Sequence, residues 1–263
     1  DCLLSRGLGD VYKRQENIET QRIEPTQLEV VQNDALTIEE IETGLVYNGS
    51  MVRVADISEE FRKVIEPILR MYNAAMNVTT ARIEIIKDES RYKNVRCPVH
   101  HIDTRLKSAG SILGKLQKKN LDLTIGAACN NIYDIAGVRI VCPYIKDVYF
   151  IRDRILAQDD IEVMKVKDYI EHPKENGYRS YHLIIRVPVF FMNKKQMVPV
   201  EIQIRTMAMD LWASLEHDIS YKAINSKGEY QGDYSEFREE LTECSRLIYE
   251  AEEKMERMNS MLE

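Results

Sequence analysis

Apolar residues at helical spacing form the first regular pattern of the chain, between Phe61 and Ala75. Residues three and four apart lie on one side of a helix, so the pattern predicts a helix with one buried face. Pro67 lies inside this pattern and has no backbone N–H to donate. We therefore expect either a kink or a fresh first turn at Pro67, in a helix that packs on a sheet.

Alternating or β-branched stretches predict strands further along the chain. They cover residues 99–107, 134–143, 161–167, 181–190 and 197–205. Helices are predicted after Ser108, which can cap a segment carrying Ile112 and Leu116, and at 147–157 and 206–222. Strands mixed with helices in this order indicate an α+β fold, an α/β sandwich around one mixed β-sheet flanked by helices.

The last helix, residues 233–263, carries apolar residues at alternating steps of four and three. These residues are Phe237, Leu241, Cys244, Ile248, Ala251, Met255, Met258 and Leu262. The spacing places them along one coiled-coil seam. On an acidic terminal helix such a seam favours an oligomer contact, and the alternative is a core element that packs within the same chain.

Two segments precede the predicted domain, which covers residues 56–225. Residues 1–15 begin without Met and show neither a helical nor a strand period, so we treat them as a non-native leader. Residues 16–55 are acidic and polar with weak periodicity, which predicts an N-terminal arm.

The net charge of −7 is unevenly distributed, because the middle of the chain is basic and both flanks are acidic. A basic middle suits a phosphate-rich small ligand as well as nucleic acid. No apolar run approaches the length that a bilayer demands, so we expect no membrane span. The cysteines lack C-x-x-C spacing and no secretory signal opens the chain, which favours a reducing cytoplasm and argues against structural zinc.

Two acidic residues stand beside apolar strand patterns and are candidates for metal binding. Asp134 opens the segment D-I-A-G-V-R-I, and Glu201 opens E-I-Q-I-R-T. If the two strands are neighbours, both carboxylates can share one Mg²⁺, which accepts a few carboxylates together with substrate oxygens. Each acid alone is more often a cap or a rim residue, so the interpretation depends on the pair.

The segment H-P-K-E-N-G-Y-R-S-Y-H, residues 172–182, combines a turn, aromatic rings and cationic groups. Loops of this composition can hold a base by stacking and phosphates by charge. The alternative is a polar hairpin turn with an exposed tyrosine.

Four motifs in this order resemble the synthetase domain of the RelA/SpoT homologues. They are R-L-K-S-A-G-S-I-L-G-K, Y-D-I-A-G-V-R-I, the loop 172–182 and V-E-I-Q-I-R-T-M-A-M-D-L-W-A-S-L-E-H. The resemblance covers about residues 60–262, and within the family the chain is most similar to the short, single-domain members called small alarmone synthetases. It implies a nucleotidyltransferase-like sheet and synthesis of guanosine tetra- or pentaphosphate, in which ATP gives pyrophosphate to the 3′-hydroxyl of GDP or GTP and AMP leaves.

The resemblance also implies roles for residues on the ATP side. Arg105 and Arg139 would stack on the adenine, as planar guanidinium groups can. The ATP phosphates would be bound by Lys107, Ser111, Lys115 and Lys118. Asp134 would hold Mg²⁺.

On the acceptor side, Tyr178 would stack on the guanine. The ribose and phosphates of the acceptor would contact Lys174, Asn176 and His182. Glu201 matches the family acid that lies near both the metal and the acceptor hydroxyl, so it is a candidate Mg²⁺ ligand and a candidate general base. Gln203 and Arg205 share a strand face with Glu201 by period two and could orient the substrate.

The resemblance implies a homotetramer with an alarmone effector site between subunits. It leaves the acceptor preference among GDP, GTP and GMP open.

Two other functions remain alternatives. One is a toxic relative that pyrophosphorylates the 3′ end of tRNA or makes adenine alarmones, although the K-E-N-G-Y loop favours a free guanine nucleotide. The other is a non-catalytic nucleotide sensor.

Overall fold

The computed structural model of this chain describes residues 54–225 and 234–262. The predicted leader 1–15 and nearly all of the predicted arm 16–55 lie outside the described residues. The limits of the arm, the domain and the terminal segment therefore stay predictions. Among the residues that are described, no helix is both long enough and apolar enough to cross a membrane.

The described residues form a mixed five-stranded sheet with the strand order β1-β2-β5-β4-β3. The strands are β1 His101–Leu106, β2 Ala136–Cys142, β3 Glu162–Asp168, β4 Tyr181–Phe191 and β5 Lys194–Thr206. β2 and β5 run parallel, and the other neighbours are antiparallel. The prediction of an α+β fold around one mixed sheet is confirmed.

Helices flank this sheet. They are α1 Val54–Tyr92, α2 Ala109–Lys118, α3 Ile125–Asn131, α4 Ile145–Leu156, α5 Met207–Asn225 and α6 Tyr234–Ser260. The predicted cap of α2 is present, because Ser108 Oγ accepts a hydrogen bond from Ser111 N at 3.2 Å. The sequence pattern does not predict α3, which is too short to show an apolar period. Its one local signal is Thr124, whose hydroxyl caps the helix by accepting from Ala127 N at 3.1 Å.

α1 continues through Pro67 as one helix, so a fresh start at that position is excluded. A proline inside a helix costs about 3 kcal/mol. Ile65, Ile68 and Tyr72, on either side of Pro67, are almost fully buried, and each such side chain contributes roughly 1.5–3 kcal/mol. Burial of this face, in a helix that contacts β1, β2, β4 and β5, therefore outweighs the lost hydrogen bond.

β4 and β5 form one long hairpin, which corrects the predicted position of Glu201. The turn contains Met192 and Asn193 with φ of 48° and 60°, the left-handed conformation that hairpin turns use. β5 therefore begins at Lys194, and Glu201 lies inside the strand rather than at its start. Asp134 lies just before β2, close to its predicted position.

The side-chain alternation of the central strands separates a core from a polar face. On β2, Ala136, Val138 and Ile140 are buried, and on β5 the same holds for Ile202 and Ile204. The residues between them point to the opposite face, because successive side chains of a strand alternate. That face carries the predicted polar residues.

α6 packs on its own chain through a face that includes part of the predicted seam, since Leu241 and Ile248 lie beside α5. Ser245 and Glu252 are buried in this contact, and Leu241 O accepts a hydrogen bond from Trp212 Nε1 of α5 at 3.1 Å. The seam residues Met255 and Met258 are 65% and 59% exposed. These seam positions are therefore not core, and the oligomer contact stays a prediction.

Glu252 is the one acidic side chain of α6 that the described structure buries almost completely, with 6% of its surface exposed. Burial raises the pKa of its carboxyl to about 7. Thr206 and Arg179 oppose this shift, whereas Glu256 and Glu253 add to it. The folded protein thus holds a proton on Glu252 at a pH where the unfolded chain has lost it.

We expect Glu252 to lower the stability as pH rises from the ordinary carboxyl pKa of 4.5 to about 7, because its folded-state carboxyl binds more protons than the unfolded one in this window. Glu252→Gln should remove this dependence. The variant should be more stable than the wild type by about 1–3 kcal/mol at pH 8 and similar to it near pH 4.5, as measured by urea unfolding. Glu240→Gln, at an exposed position of α6, is the control. An equal effect of Glu252→Gln at both pH values would contradict the interpretation.

Candidate active site

The parallel pairing of β2 and β5 brings the two predicted acids to one cleft. Gly137 pairs with Glu201 and Arg139 pairs with Gln203, and Asp134 lies three residues before Gly137. The cleft has a volume of about 400 Å³. It is lined by Asp103, Thr104, Arg105, Lys107, Asp134, Gly137, Val138, Arg139, Glu201 and Gln203.

Asp134 is held between two lysines. Its Oδ2 atom lies 2.6 Å from Lys115 Nζ and 3.3 Å from Lys107 Nζ. Burial acts to raise the pKa of the Asp134 carboxyl, but the two ammonium groups outweigh it and hold the pKa below its usual range. Its Oδ1 atom is buried and has no hydrogen-bond partner among the described residues. Asp134 is therefore ionised and keeps one oxygen available.

Glu201 lies opposite, with both oxygens contacted by neighbours. His182 Nδ1 is 3.5 Å from Oε1, and Gln203 Nε2 donates to Oε2 at 3.1 Å. Burial acts to raise the pKa of Glu201, but His182 and Gln203 outweigh it and lower the pKa overall. Glu201 is therefore a carboxylate that can accept a proton or a cation.

A hydrogen-bonded ring connects Glu201 to the tyrosine of the loop 172–182. His182 Nε2 lies 2.9 Å from the Tyr178 hydroxyl, and Arg205 Nη2 donates to that hydroxyl at 2.6 Å. Arg205 Nη2 also donates to Gln203 Oε1 at 3.0 Å, which returns the ring to Glu201. The ring is closed by the longer 3.5 Å contact between His182 Nδ1 and Glu201 Oε1, and Arg205 Nε has no hydrogen-bond partner among the described residues.

The Tyr178 ring is half buried among aromatic neighbours. Tyr169, His182 and Trp212 meet it edge to face, with centroid separations of 6.0, 5.9 and 6.5 Å. Lys174 Nζ lies 4.6 Å from the ring centroid on an exposed side chain, so it can yield to a stacking ligand. Asn176 orders the turn, because its Oδ1 accepts from Tyr178 N at 3.3 Å.

Asp210 connects the two sides of the site. Its Oδ1 lies 3.3 Å from Arg139 Nη1 and 3.2 Å from Arg205 Nη1. The Asp210 carboxylate therefore holds Arg139, which lines the cleft, and Arg205, which donates a hydrogen bond to the Tyr178 hydroxyl. Sequence reasoning assigned no role to Asp210, Tyr169 or Trp212, because their contribution is a contact across elements that no local pattern reveals.

The other predicted residues lie at different distances from the cleft. Arg105, Lys107, Arg139 and Gln203 line it, and Lys115 reaches it through Asp134. Ser111 and Lys118 lie on the first and last turns of α2 and do not line the cleft. The Ser111 hydroxyl is hydrogen-bonded to Ser108 at 2.9 Å.

Comparison with known proteins identifies relatives of the chain. Residues 104–226 match the family described as the region found in RelA/SpoT proteins. The chain is 41% identical over 187 residues to GTP pyrophosphokinase YwaC of Bacillus subtilis, a match that covers 71% of this chain and 86% of YwaC.

Two crystal structures of Bacillus subtilis small alarmone synthetase 1 are also similar. The complex with its product pppGpp has a TM-score of 0.65 and 30% identity, and the match covers 76% of this chain and 98% of that chain. The complex with AMPCPP has a TM-score of 0.61 and 26% identity, covering 76% and 97%.

We expect Asp210→Ala to lower the free energy of unfolding by about 1–3 kcal/mol, because it leaves the guanidinium of Arg205 buried without its carboxylate. The side chain of Arg205 is only 6% exposed. Urea unfolding at neutral pH measures the change. Asp159→Ala, at an exposed position, should change stability by less than about 0.5 kcal/mol. Equal stabilities of the two variants would show that the Asp210 contacts contribute nothing.

Proposed function

The chain belongs to the RelA/SpoT family of GTP pyrophosphokinases, and we propose that its cleft transfers the β,γ-pyrophosphate of ATP to the 3′-hydroxyl of GDP or GTP. The products are guanosine tetra- or pentaphosphate, the alarmones of the stringent response, and AMP. One observation carries the proposal at the level of the site: Asp134 and Glu201 share one cleft, and Glu201 is linked to Tyr178 by hydrogen bonds through Gln203 and Arg205.

On the ATP side, the proposal assigns the adenine to Arg105 and Arg139. Both line the cleft from neighbouring strands, and planar guanidinium groups stack on aromatic rings. Lys107 and Lys115 bind the phosphates of ATP. Their ion pairs with Asp134 are then replaced by contacts with the more highly charged phosphate groups. Ser111 and Lys118 extend this phosphate site along α2 and would be drawn in by the bound nucleotide.

We assign Mg²⁺ as the cofactor of this reaction, and the carboxylates of the cleft are suited to bind it. Asp134 offers a buried carboxylate oxygen that no described residue hydrogen-bonds, and Glu201 offers a second carboxylate in the same cleft. No group of three or more His, Cys, Asp or Glu in the described part of the chain could hold a metal alone, so substrate phosphate oxygens would complete the coordination. When bound, the ion neutralises charge on the polyphosphate.

The acceptor nucleotide binds on the side of the site that carries Tyr178. Its guanine stacks on Tyr178, and Lys174 and His182 contact its phosphates and ribose. Asn176 supports the turn, and Gln203 orients Glu201. Glu201 accepts the proton of the 3′-hydroxyl as that oxygen bonds to the β-phosphorus of ATP. The bond between the β-phosphorus and the oxygen bridging it to the α-phosphorus breaks, and that oxygen leaves with AMP.

The sensor and tRNA alternatives are less well supported. Nucleotide binding alone does not need two carboxylates beside a phosphate site. The ring that connects Tyr178 to Glu201 links base stacking to the reactive group, which suits a free guanine nucleotide. The proposal places the enzyme in the cytoplasm, where its nucleotide substrates are found.

Glu201→Gln tests this function. Purified protein is incubated with ATP, Mg²⁺ and GDP, GTP, GMP or tRNA in turn, and the products are separated by anion-exchange chromatography. The wild type should release AMP and one new guanine species in equal amounts. Glu201→Gln should lose about 10²–10⁴-fold in turnover because it cannot accept the proton, with nucleotide affinities changed only a few-fold.

Glu162→Gln, at an exposed position on the edge strand β3, is the matched control and should keep full turnover. Wild-type turnover in Glu201→Gln would contradict the assigned role. AMP release that requires tRNA, without a guanine product, would support the tRNA alternative. Nucleotide binding without any AMP release would support the sensor.

The proposal includes a homo-oligomer that forms through α6. Supporting it, the apolar residues Met255, Met258 and Leu262 at the C-terminal end of the seam are exposed, whereas Ile248 nearer its start lies beside Met209 and Trp212 of α5. A homotetramer with an alarmone effector site between subunits is the form that the resemblance implies.

We expect the double variant Met255→Glu, Met258→Glu to have a lower mass than the wild type by light scattering, because two carboxylates cannot be buried cheaply in an apolar seam. Arg257→Glu changes the charge on another exposed face of α6 and should leave the mass unchanged. A monomeric wild type, or a double variant of wild-type mass, would reject the seam.

A further inference from the structure

Two side chains of α6 donate hydrogen bonds to the backbone of the loop 172–182. Ser245 Oγ donates to Gly177 O at 2.5 Å, and Thr242 Oγ1 donates to Glu175 O at 3.2 Å. The two carbonyl groups flank Asn176, whose side chain accepts from Tyr178 N. α6 therefore contacts the loop at the turn that presents Tyr178.

The contact is close because Gly177 has no side chain. Its φ is +84°, and a Cβ at this position would lie 2.6 Å from Ser245 Cβ. Glycine is thus required by the backbone conformation and by the approach of α6. The Ser245 hydroxyl itself is buried in this contact, which makes its hydrogen bond costly to lose.

A second set of contacts fixes the end of the loop that leads into β4. The guanidinium carbon of Arg179 lies 3.9 Å from the ring centroid of Tyr249 on α6. Arg179 Nη1 also donates to Ile170 O at 2.7 Å, which ties this end to a residue two positions before the loop. The loop is therefore held to α6 at its turn and at its exit.

Tyr178 itself is supported from the same direction. Trp212 meets the Tyr178 ring edge to face and donates its indole N–H to Leu241 O of α6. α6 thus acts on Tyr178 through the loop backbone and through Trp212. The hydrogen-bonded ring of the cleft restrains only the hydroxyl end of Tyr178.

We propose that Ser245 is a positioning residue for the acceptor subsite: its hydroxyl holds the loop in the conformation in which Lys174 and Tyr178 receive the guanine nucleotide. This inference rests on the proposed function, in which the loop binds the acceptor. Ser245 does not line the cleft and instead lines a separate, small pocket between α5 and α6. Without its hydrogen bond the loop must be ordered at the moment of binding, which weakens acceptor binding and leaves ATP binding unchanged.

The test is Ser245→Ala in the full chain, with steady-state kinetics measured separately for ATP and for GDP. KM for GDP should rise about 3- to 10-fold, the value of one hydrogen bond. KM for ATP and kcat at saturating GDP should stay within about twofold, a split that general destabilisation would not produce. Thr242→Ala should shift KM for GDP in the same direction. Ser260→Ala, an exposed position at the end of α6, makes the same substitution and should change nothing.

The outcomes separate the two proposals. A wild type that forms no guanine product would overturn the proposed function and the inference with it. An active wild type with an unchanged KM for GDP in Ser245→Ala would overturn the positioning role alone. So would an equal rise in KM for both substrates, because it would indicate a general loss of structure.

Discussion

The parallel pairing of β2 with β5 is the constraint on which the rest of the site depends. It sets Gly137 against Glu201 and Arg139 against Gln203 in neighbouring strands. Because side chains alternate across a sheet, the same pairing sends Val138 and Ile202 into the core and leaves the polar set on the other face. A shift of one residue in this register would turn Glu201 into the apolar interior.

Opposite charges hold the site in place before any ligand binds. Asp134 lies between Lys107 and Lys115, and Asp210 lies between Arg139 and Arg205. Partly buried ion pairs add little net stability, because desolvation offsets their attraction. Their value here is orientation, since groups fixed in advance need not be reorganised when a polyphosphate arrives.

The two nucleotide sides that we propose for the site are built in different ways. The ATP side is made from strands, α2 and the turn before β2, which follow one another in the chain. The proposed acceptor side includes the loop that Ser245 holds at Gly177, a residue 68 positions away in sequence. The acceptor side therefore relies on a terminal helix, and that helix also carries the exposed apolar seam.

The sequence alone determined the elements whose signal is local. Period-two alternation and β-branched residues predicted the strands, local patterns predicted the helices other than α3, and the four motifs predicted the family and the acids Asp134 and Glu201. The tertiary structure decided what depends on distant partners. It placed Glu201 inside β5 because the hairpin with β4 extends that strand, and it carried α1 through Pro67 because burial outweighs one lost hydrogen bond. The tertiary structure also decided the contacts of Asp210 with Arg205 and of Ser245 with Gly177. The spacing of apolar and polar residues shows which face of a helix is buried, but it does not show which residues of other elements that face contacts.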